Sequence, residues 1–295
     1  MATLGSNNLT FAQLQTRIDP NGNVAPLIEM LSQQNSFMDV MPWTEGNLDT
    51  GHRATLRTGI PAGTWRRYNQ GVQPVRDSTS TVEFRCGQLE ARIVIDRDMA
   101  ELGGRESELR YQMAVGTMEG MTQQVASAMF YENQATNPER ITGLALYYTS
   151  VSTGTSASAQ NVIDGGGTGT DNRSVWLVGF GDMATEGIYP RGTVAGLKRE
   201  DKGVQSVVDS TGVDGAVFDA YVERLTWKVG LAVQDWTQNA RLCNLDASTM
   251  DADSSGPGII EGMIRAYDRI RNPSSVNLAW FMDRKCRTYL GIKAR

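Results

Sequence analysis

The sequence is poor in the residues from which catalytic and metal sites are most often built. Its 295 residues include one histidine, His52, and three cysteines without CxxC spacing, Cys86, Cys243 and Cys286. Zinc sites and disulfide frameworks need more ligands at closer spacing, and unpaired thiols are typical of a reducing compartment. A single histidine leaves little for a nucleophilic triad. The sequence therefore predicts no catalytic, cofactor-binding or metal-binding residues.

Two short segments begin like ligand-binding loops, but neither completes its motif. Gly165–Thr170 is rich in glycine and lacks the Gly-Lys-Ser/Thr ending of a phosphate-binding loop. Asp251–Gly256 starts like a calcium loop, but Gly262 occupies the twelfth position, where a bidentate glutamate is required. We interpret the first segment as a flexible loop and expect no calcium at the second.

Long hydrophobic runs are also missing. No apolar stretch approaches the roughly 18 residues that a bilayer span requires, and no secretory signal follows Met1. The net charge is −5, which is not expected of a chain that binds nucleic acid over its whole surface. Hydrophobic residues still make up 40%, enough for a core in one large or two medium domains.

The N-terminal segment is predicted to be a docking arm. After the turn signal Asp19–Gly22, apolar residues recur at helical spacing from Val24 to Met38, and Pro42 ends the pattern. A short helix with one apolar stripe must pack on something, either its own core or another molecule. The stripe includes Leu27, Ile28 and Leu31.

A long β-hairpin is predicted between about residues 52 and 95. The incoming strand covers Arg53–Thr58, and from Thr81 onward apolar and polar residues alternate, which is typical of a half-buried strand. The apolar positions are even-numbered up to Cys86 and odd-numbered from Leu89. We therefore expect a β-bulge at Gly87 that bends the hairpin.

The end of this hairpin, residues 59–80, has too few apolar residues to form a core. A loop of this length in a compact domain is usually functional. Between residues 46 and 80, five arginines stand against two aspartates, so this part carries +3 and the rest of the chain −8. A solvated hairpin is the alternative to an interface with the acidic body of an identical neighbour. The predicted contact residues are Trp65, Arg66, Arg67, Tyr68 and Arg76.

The longest helix is predicted over residues 105–133. Gly116 and Gly120 flatten one of its sides. Because glycine costs a helix up to about 1 kcal/mol relative to alanine, we expect something to pack closely there. The apolar positions at helical spacing are Leu109, Met113, Met121, Val125 and Met129.

The second half of the chain is predicted to alternate strands and helices. Residues 149–174 are rich in small polar side chains and are interpreted as a surface loop before the buried strand Val175–Phe180. The clearest strand covers about residues 221–233, with Tyr221 and the odd-numbered residues from Leu225 to Val233 on one face.

A more compact α/β segment is predicted after Asp246. A helix over about Ile259–Arg271 shows Ile260, Ile264 and Tyr267 on one face. A strand follows over Val276–Met282, and Asp283 is placed to cap a last helix.

Several extended segments resemble one group of phage major head proteins: "TRIDPNGNVAPLIEMLSQQN", "MPWTEGNLDTGHRATLRTGIPAGTWRRYNQGVQP", "NVIDGGGTGTDNRSVWLV" and "LAWFMDRKCRTYL". The order of parts is similar to the Hong Kong 97 type capsid fold of tailed-bacteriophage major capsid proteins. The resemblance covers essentially the whole chain and implies an α+β fold class.

The resemblance also implies a division into domains. Residues 1–45 would be an N-terminal arm and 46–96 an extended loop formed by the β-hairpin. Residues 97–245 would be a peripheral domain with long strands and a spine helix at 105–133. Residues 246–295 would be an α/β axial domain, which relatives continue beyond Arg295, so we expect it to be incomplete here.

The implied function is structural, with no enzymatic activity. Copies would assemble into hexamers and pentamers of an icosahedral head that encloses double-stranded DNA without sequence-specific binding. Further implied partners are a portal, a separate scaffolding protein and a decoration protein; no membrane partner is implied. The protein would lie in the virion capsid and, during assembly, in the host cytoplasm. An encapsulin-like compartment shell of the same fold is the alternative.

One departure from the family concerns lysine. All five lysines lie at or beyond Lys198, so the hairpin lacks the lysine through which some relatives crosslink their shells. We expect no such crosslink in this chain.

Overall fold

The computed structural model describes residues 36–208, 216–251 and 258–294. Its strands are β1 (Trp43–Glu45), β2 (Gly51–Gly59), β3 (Ser78–Arg85), β4 (Gly87–Asp96), β5 (Val162–Asp164), β6 (Asn172–Phe180), β7 (Thr185–Tyr189), β8 (Leu197–Val208), β9 (Val217–Val233), β10 (Ala240–Asp246) and β11 (Asn277–Phe281). Its helices are α1 (Ser36–Val40), α2 (Arg97–Glu101), α3 (Glu106–Tyr131), α4 (Leu144–Tyr147), α5 (Ile259–Asp268) and α6 (Arg284–Lys293).

The chain divides into two compact units. The described part of the first unit consists of Ser36, Gln88–Ser127 and residues from Gly196–Lys228. The second unit draws on Phe37–Gly87, Ala128–Ala195 and Val229–Arg295. Boundaries therefore fall inside α1, β4, α3 and β9.

In the first unit, β9 has β4 on one side and β8 on the other. β8 and β9 pair antiparallel from Leu197↔Trp227 to Val208↔Val217, with a register shift between Asp201 and Val204. Gly203, at φ 69°, lies inside that shift and adopts a backbone conformation that glycine tolerates best.

The long helix is confirmed within two residues of its predicted ends. Leu109, Met121, Val125 and Met129 are buried as their spacing predicts, although Met113 is only partly buried. The expectation of close packing at the glycines is not met in the described chain, because a Cβ at Gly116 or Gly120 would meet open space. The helix begins at Glu106, one residue after the predicted start, and ends at Tyr131, two residues before the predicted end.

The second unit is built on a sheet in the order β9–β7–β6–β10–β5, with β11 beside β6 and β1 beside β7. Its core lies between this sheet and helices α5 and α6. The buried side chains include Val175, Leu177, Leu242, Leu245, Ile259, Cys286 and Tyr289. Asp283 caps α6 as predicted, accepting a hydrogen bond from the Arg284 backbone N–H at 2.8 Å.

The change of apolar parity near Gly87 is real, but the predicted bulge in one continuous hairpin is wrong. β2 pairs with β3 from Gly51↔Arg85 to Gly59↔Ser78, whereas β4 pairs with β9. The chain thus changes its partner strand at Cys86. Glycine is required there because a Cβ at position 87 would lie 2.9 Å from the Glu139 carbonyl oxygen.

The predicted surface loop at 149–174 is wrong in its middle part. Residues 157–161 form a 3-10 turn that leads into β5, and Asn161, Val162 and Ile163 are buried. The Asn161 side chain donates to the Asn239 carbonyl at 2.8 Å. This segment is held by a buried amide that donates to backbone carbonyls, and not by periodic apolar residues. The hydrophobic pattern therefore did not predict its burial.

Helix α5 is present, but the apolar face identified from its spacing is the outer one. Ile260, Ile264 and Tyr267 are exposed, and the buried positions include Gly262 and Ala266. The helix packs on the sheet through Ile259, Gly262 and Ala266, and a Cβ at Gly262 would lie 2.7 Å from Leu242. The spacing of Ile260, Ile264 and Tyr267 therefore identified an apolar face that is exposed in the described chain.

Candidate assembly surface

The hairpin tip, defined as residues 60–77 between β2 and β3, is exposed along its whole length. Trp65 is 100% exposed and Tyr68 97% exposed. A turn organises this part: the Gln70 N–H donates to the Arg67 carbonyl at 3.2 Å, and Asn69 takes φ 65°. Large aromatic side chains held in water on a segment without a core mark an interaction surface.

The tip concentrates the positive charge of the hairpin. In the described chain, Arg66, Arg67 and Arg76 form no ion pair with a carboxylate. The Arg66 guanidinium donates only to the Gln70 carbonyl, at 3.2 Å. These three cations are therefore available to carboxylates of another molecule.

The strands that carry the tip are held by paired charges. Arg57 lies 3.3 Å from Asp77, and Arg53 lies 3.6 Å from Glu83. Asn47 fixes the Arg53 backbone by accepting from its N–H at 2.7 Å and donating to its carbonyl at 2.8 Å. The arginines at the base are thus paired inside the hairpin, unlike those of the tip.

The predicted contact residues of the tip are all exposed. Trp65, Arg66, Arg67 and Tyr68 are consecutive in the turn region, and Arg76 is exposed on the returning segment. Leu27, Ile28 and Leu31 lie outside the described residues.

The sequence interpretation missed a buried carboxylate, Glu223, which is 2% exposed. Arg199 binds it through two nitrogens at 2.8 and 2.9 Å, and Arg110 Nε donates to it at 2.9 Å. Arg110 also donates to Glu106 at 2.9 Å and to Asp201 at 2.5 Å. We call these five residues the ion cluster. A signal existed, because Glu223 lies between Tyr221 and Leu225 on the face of β9 that was predicted to be apolar.

Contacts within the ion cluster shift the pKa values of three of its members. Burial lowers the pKa of Arg110, but hydrogen bonds to Asp201 and Glu106 outweigh it, so this pKa lies above its ordinary value. The hydrogen bond to Glu223 likewise raises the pKa of Arg199. The pKa of Asp201 is lowered, first by the Arg110 hydrogen bond and then by the Gly203 N–H. Every charge in the cluster has an opposite partner within the first unit, and its three carboxylates and two arginines together carry −1.

The thiols do not form reactive groups. Burial raises the pKa of Cys86 to about 12 and also raises the pKa values of Cys243 and Cys286. A thiolate is the reactive form, and it is scarce at neutral pH under these conditions. Within the described ranges, no group of three or more His, Cys, Asp or Glu side chains is placed to hold a metal ion. None of the helices described there combines the length and apolar character needed to cross a membrane.

The mixed α+β architecture, with a large sheet and several helices, matches phage capsid structures of the Hong Kong 97 type. The family model "Major capsid protein GP7" matches residues 19–295. The chain therefore belongs to this family and is a major capsid protein of a tailed phage. No match was found among curated proteins.

Solved structures agree with the family assignment. A bacteriophage Epsilon15 structure is 26% identical, with a TM-score of 0.79 over 100% of this chain and 88% of the other. Two more show a similar fold only. The capsid of a native GTA particle has 9% identity and a TM-score of 0.52 over 77% of this chain and 95% of the other. Mycobacterium phage Adephagia gives 7% identity and a TM-score of 0.50 over 79% and 97%.

These matches confirm the predicted class of protein, its mixed α+β fold and its place in the virion capsid. Capsid structures imply assembly of copies into a shell. Membership of the phage family also favours a phage head protein over the encapsulin-like alternative.

Proposed function

We propose that copies of this chain form the hexamers and pentamers of an icosahedral head, and that the hairpin tip joins neighbouring copies. The observation that carries the proposal is the full exposure of Trp65 and Tyr68 beside three arginines without a carboxylate partner in the described chain. Such a tip gains apolar burial and charge pairing only when another surface covers it.

We assign roles in the shell along the chain. Residues 1–45 act as the arm, 46–96 as the extended loop, 97–245 as the peripheral domain with α3 as its spine helix, and 246–295 as the axial domain. These boundaries follow proposed roles, whereas the two compact units follow internal contacts.

The arm is proposed to bind a neighbouring copy through Leu27, Ile28 and Leu31. Its support is the anchor at the base of the arm, in the second unit. Phe37 is buried, and its ring centre lies 4.7 Å from that of Phe130 and 4.9 Å from that of Phe281. The preceding residues therefore start from a fixed point.

The remaining partners are proposed from the family resemblance. They are a portal, a separate scaffolding protein, a decoration protein and the packaged double-stranded DNA, with assembly in the host cytoplasm. A net charge of −5 fits a shell that encloses DNA without sequence-specific binding. The role is structural and not enzymatic.

The test is the double variant Arg66→Glu/Arg67→Glu of the full chain. Electron microscopy and light scattering should show few or no particles, while the melting temperature of the subunit stays unchanged. The matched control is Arg66→Lys/Arg67→Lys, which keeps the charge and should assemble. Normal particles from the glutamate variant would show that the tip is not an interface.

A further inference from the structure

The tip needs a receiving surface, and the start of α3 has the composition that fits it. Leu102 is 53% exposed and Tyr111 is 61% exposed in the first unit. Residues 96–111 contain five acidic and three basic side chains, a net charge of −2. Exposed apolar groups thus occur together with excess negative charge.

Three of these carboxylates form no ion pair in the described chain, and one of them, Asp96, accepts a hydrogen bond from the Met99 backbone N–H at 3.2 Å. Glu101 pairs with Arg97, and Glu106 pairs with Arg110. Asp98 and Glu108 are exposed and form no ion pair within residues 36–208, 216–251 and 258–294. Their charge is opposite to that of the unpaired arginines of the tip.

We infer that the hairpin tip of one copy docks on this surface of a second copy. Trp65 and Tyr68 pack against Leu102 and Tyr111, while Arg66 and Arg67 face Asp98 and Glu108. We call this surface, made of Asp98, Leu102, Glu108 and Tyr111, the acceptor. The inference rests on the proposed function, because it requires that the tip is an assembly interface.

Other exposed apolar surfaces match the tip less well. The outer face of α5 carries Ile260, Ile264 and Tyr267, but residues 259–270 hold two acidic and two basic side chains. At the end of β8 and β9, Val204, Val208 and Val217 are exposed. Asp201 and Asp219 near them already accept hydrogen bonds from Arg110 and Ser206.

Apolar and charged groups contribute differently to the proposed contact. Exposed ion pairs add little binding energy, so covering the aromatic side chains supplies most of the affinity. The charges decide which surface is chosen and in which orientation, because like charges brought together are strongly disfavoured. A charge exchange between the two surfaces therefore tests the pairing directly.

The experiment combines Arg66→Glu/Arg67→Glu with Asp98→Arg/Glu108→Arg in one full-length chain. Each double variant alone should lower particle yield about ten-fold or more, and the quadruple variant should restore particles. Melting temperatures show whether each variant folds. If Asp98→Arg/Glu108→Arg does not fold, Asp98→Asn/Glu108→Gln replaces it and should lower the particle yield to a smaller extent.

A crosslink provides a second measurement. Tyr68→Cys and Leu102→Cys in one chain should give covalent oligomers with a bismaleimide reagent under assembly conditions. Each single cysteine variant serves as the control for the three native thiols, of which Cys243 and Cys286 are buried.

The outcomes separate the two proposals. Particle loss on the tip side, with normal particles from the folded acceptor variant, overturns the acceptor and leaves the interface role of the tip intact. If both double variants lose particles, the quadruple variant does not restore them and the crosslink does not form, the acceptor is also overturned. Normal particles from the tip variant overturn the interface role itself, and the acceptor with it.

Discussion

The tip and the ion cluster use arginine in opposite ways. In the ion cluster, Arg110 and Arg199 surround a carboxylate that is almost completely buried, and every charge has a partner in the same unit. In the tip, Arg66 and Arg67 are exposed and have no carboxylate partner in the described chain. The first arrangement serves the folded subunit, whereas the second gains its partners only from another molecule.

The tryptophans show the same contrast. Trp176 is buried in the second unit, where the Arg241 guanidinium lies 4.9 Å from its ring centre. Trp65 is surrounded by solvent. Trp227 is buried as well, at 8% exposure, so Trp65 differs from both core tryptophans.

The largest effect on subunit stability is expected from Glu223→Ala. It would remove the carboxylate shared by Arg110 and Arg199. Arg110 keeps Glu106 and Asp201, but losing the charge-assisted hydrogen bonds of a buried carboxylate should still cost about 3 kcal/mol. Urea unfolding of the subunit measures the loss. Glu90→Gln is the control, because it removes an ion pair with Arg224 at the surface and should lower the free energy of unfolding much less. A loss no larger than the control's would show that the ion cluster does not stabilise the subunit.

A gain in stability is expected on the open side of α3. Gly116→Ala and Gly120→Ala each place a Cβ in open space and should add about 0.5–1 kcal/mol to the free energy of unfolding. Gly262→Ala is the matched control. Its Cβ would lie 2.7 Å from Leu242, and overpacking should cost about 1–3 kcal/mol. Destabilisation by the α3 changes would mean that this helix face is covered within the subunit.

Acid should weaken the ion cluster by protonating Asp201. The pKa of Asp201 is lowered in the folded chain, so its contribution is complete above its unfolded pKa and is lost as the pH falls through the folded value. Because Asp201 is about half exposed, we expect at most about 1 kcal/mol from it. Between pH 5 and pH 2 (on the order of the carboxyl range), the wild type should lose more stability than Asp201→Asn. Equal losses would contradict this.

The smallest effect on the subunit is expected from Trp65→Ala. An exposed side chain without contacts changes the free energy of unfolding by no more than about 0.5 kcal/mol. Particle yield in the same preparation should still fall, since the aromatic anchor of the proposed interface is lost. A large drop in the melting temperature would show that Trp65 packs within its own subunit.

Much of the architecture was predictable because long segments carry a strong periodic signal. The helix at 106–131, the strand at 217–233 and the cap at Asp283 all follow from local patterns. The exposed tip was predictable as well, since residues 60–77 lack the apolar content of a core. Packing through small or polar residues was not predictable, as the close contact of Gly262 in α5 and the buried Asn161 show.

The sequence alone determined the protein family, the main helices and strands, and the location of the basic aromatic tip. Those features depend on residues close together in the chain, whose spacing is visible without coordinates. Only the tertiary structure decided which charges are compensated. Arg110 meets Glu223 across 113 residues of sequence, and no local pattern specifies a partner at that distance.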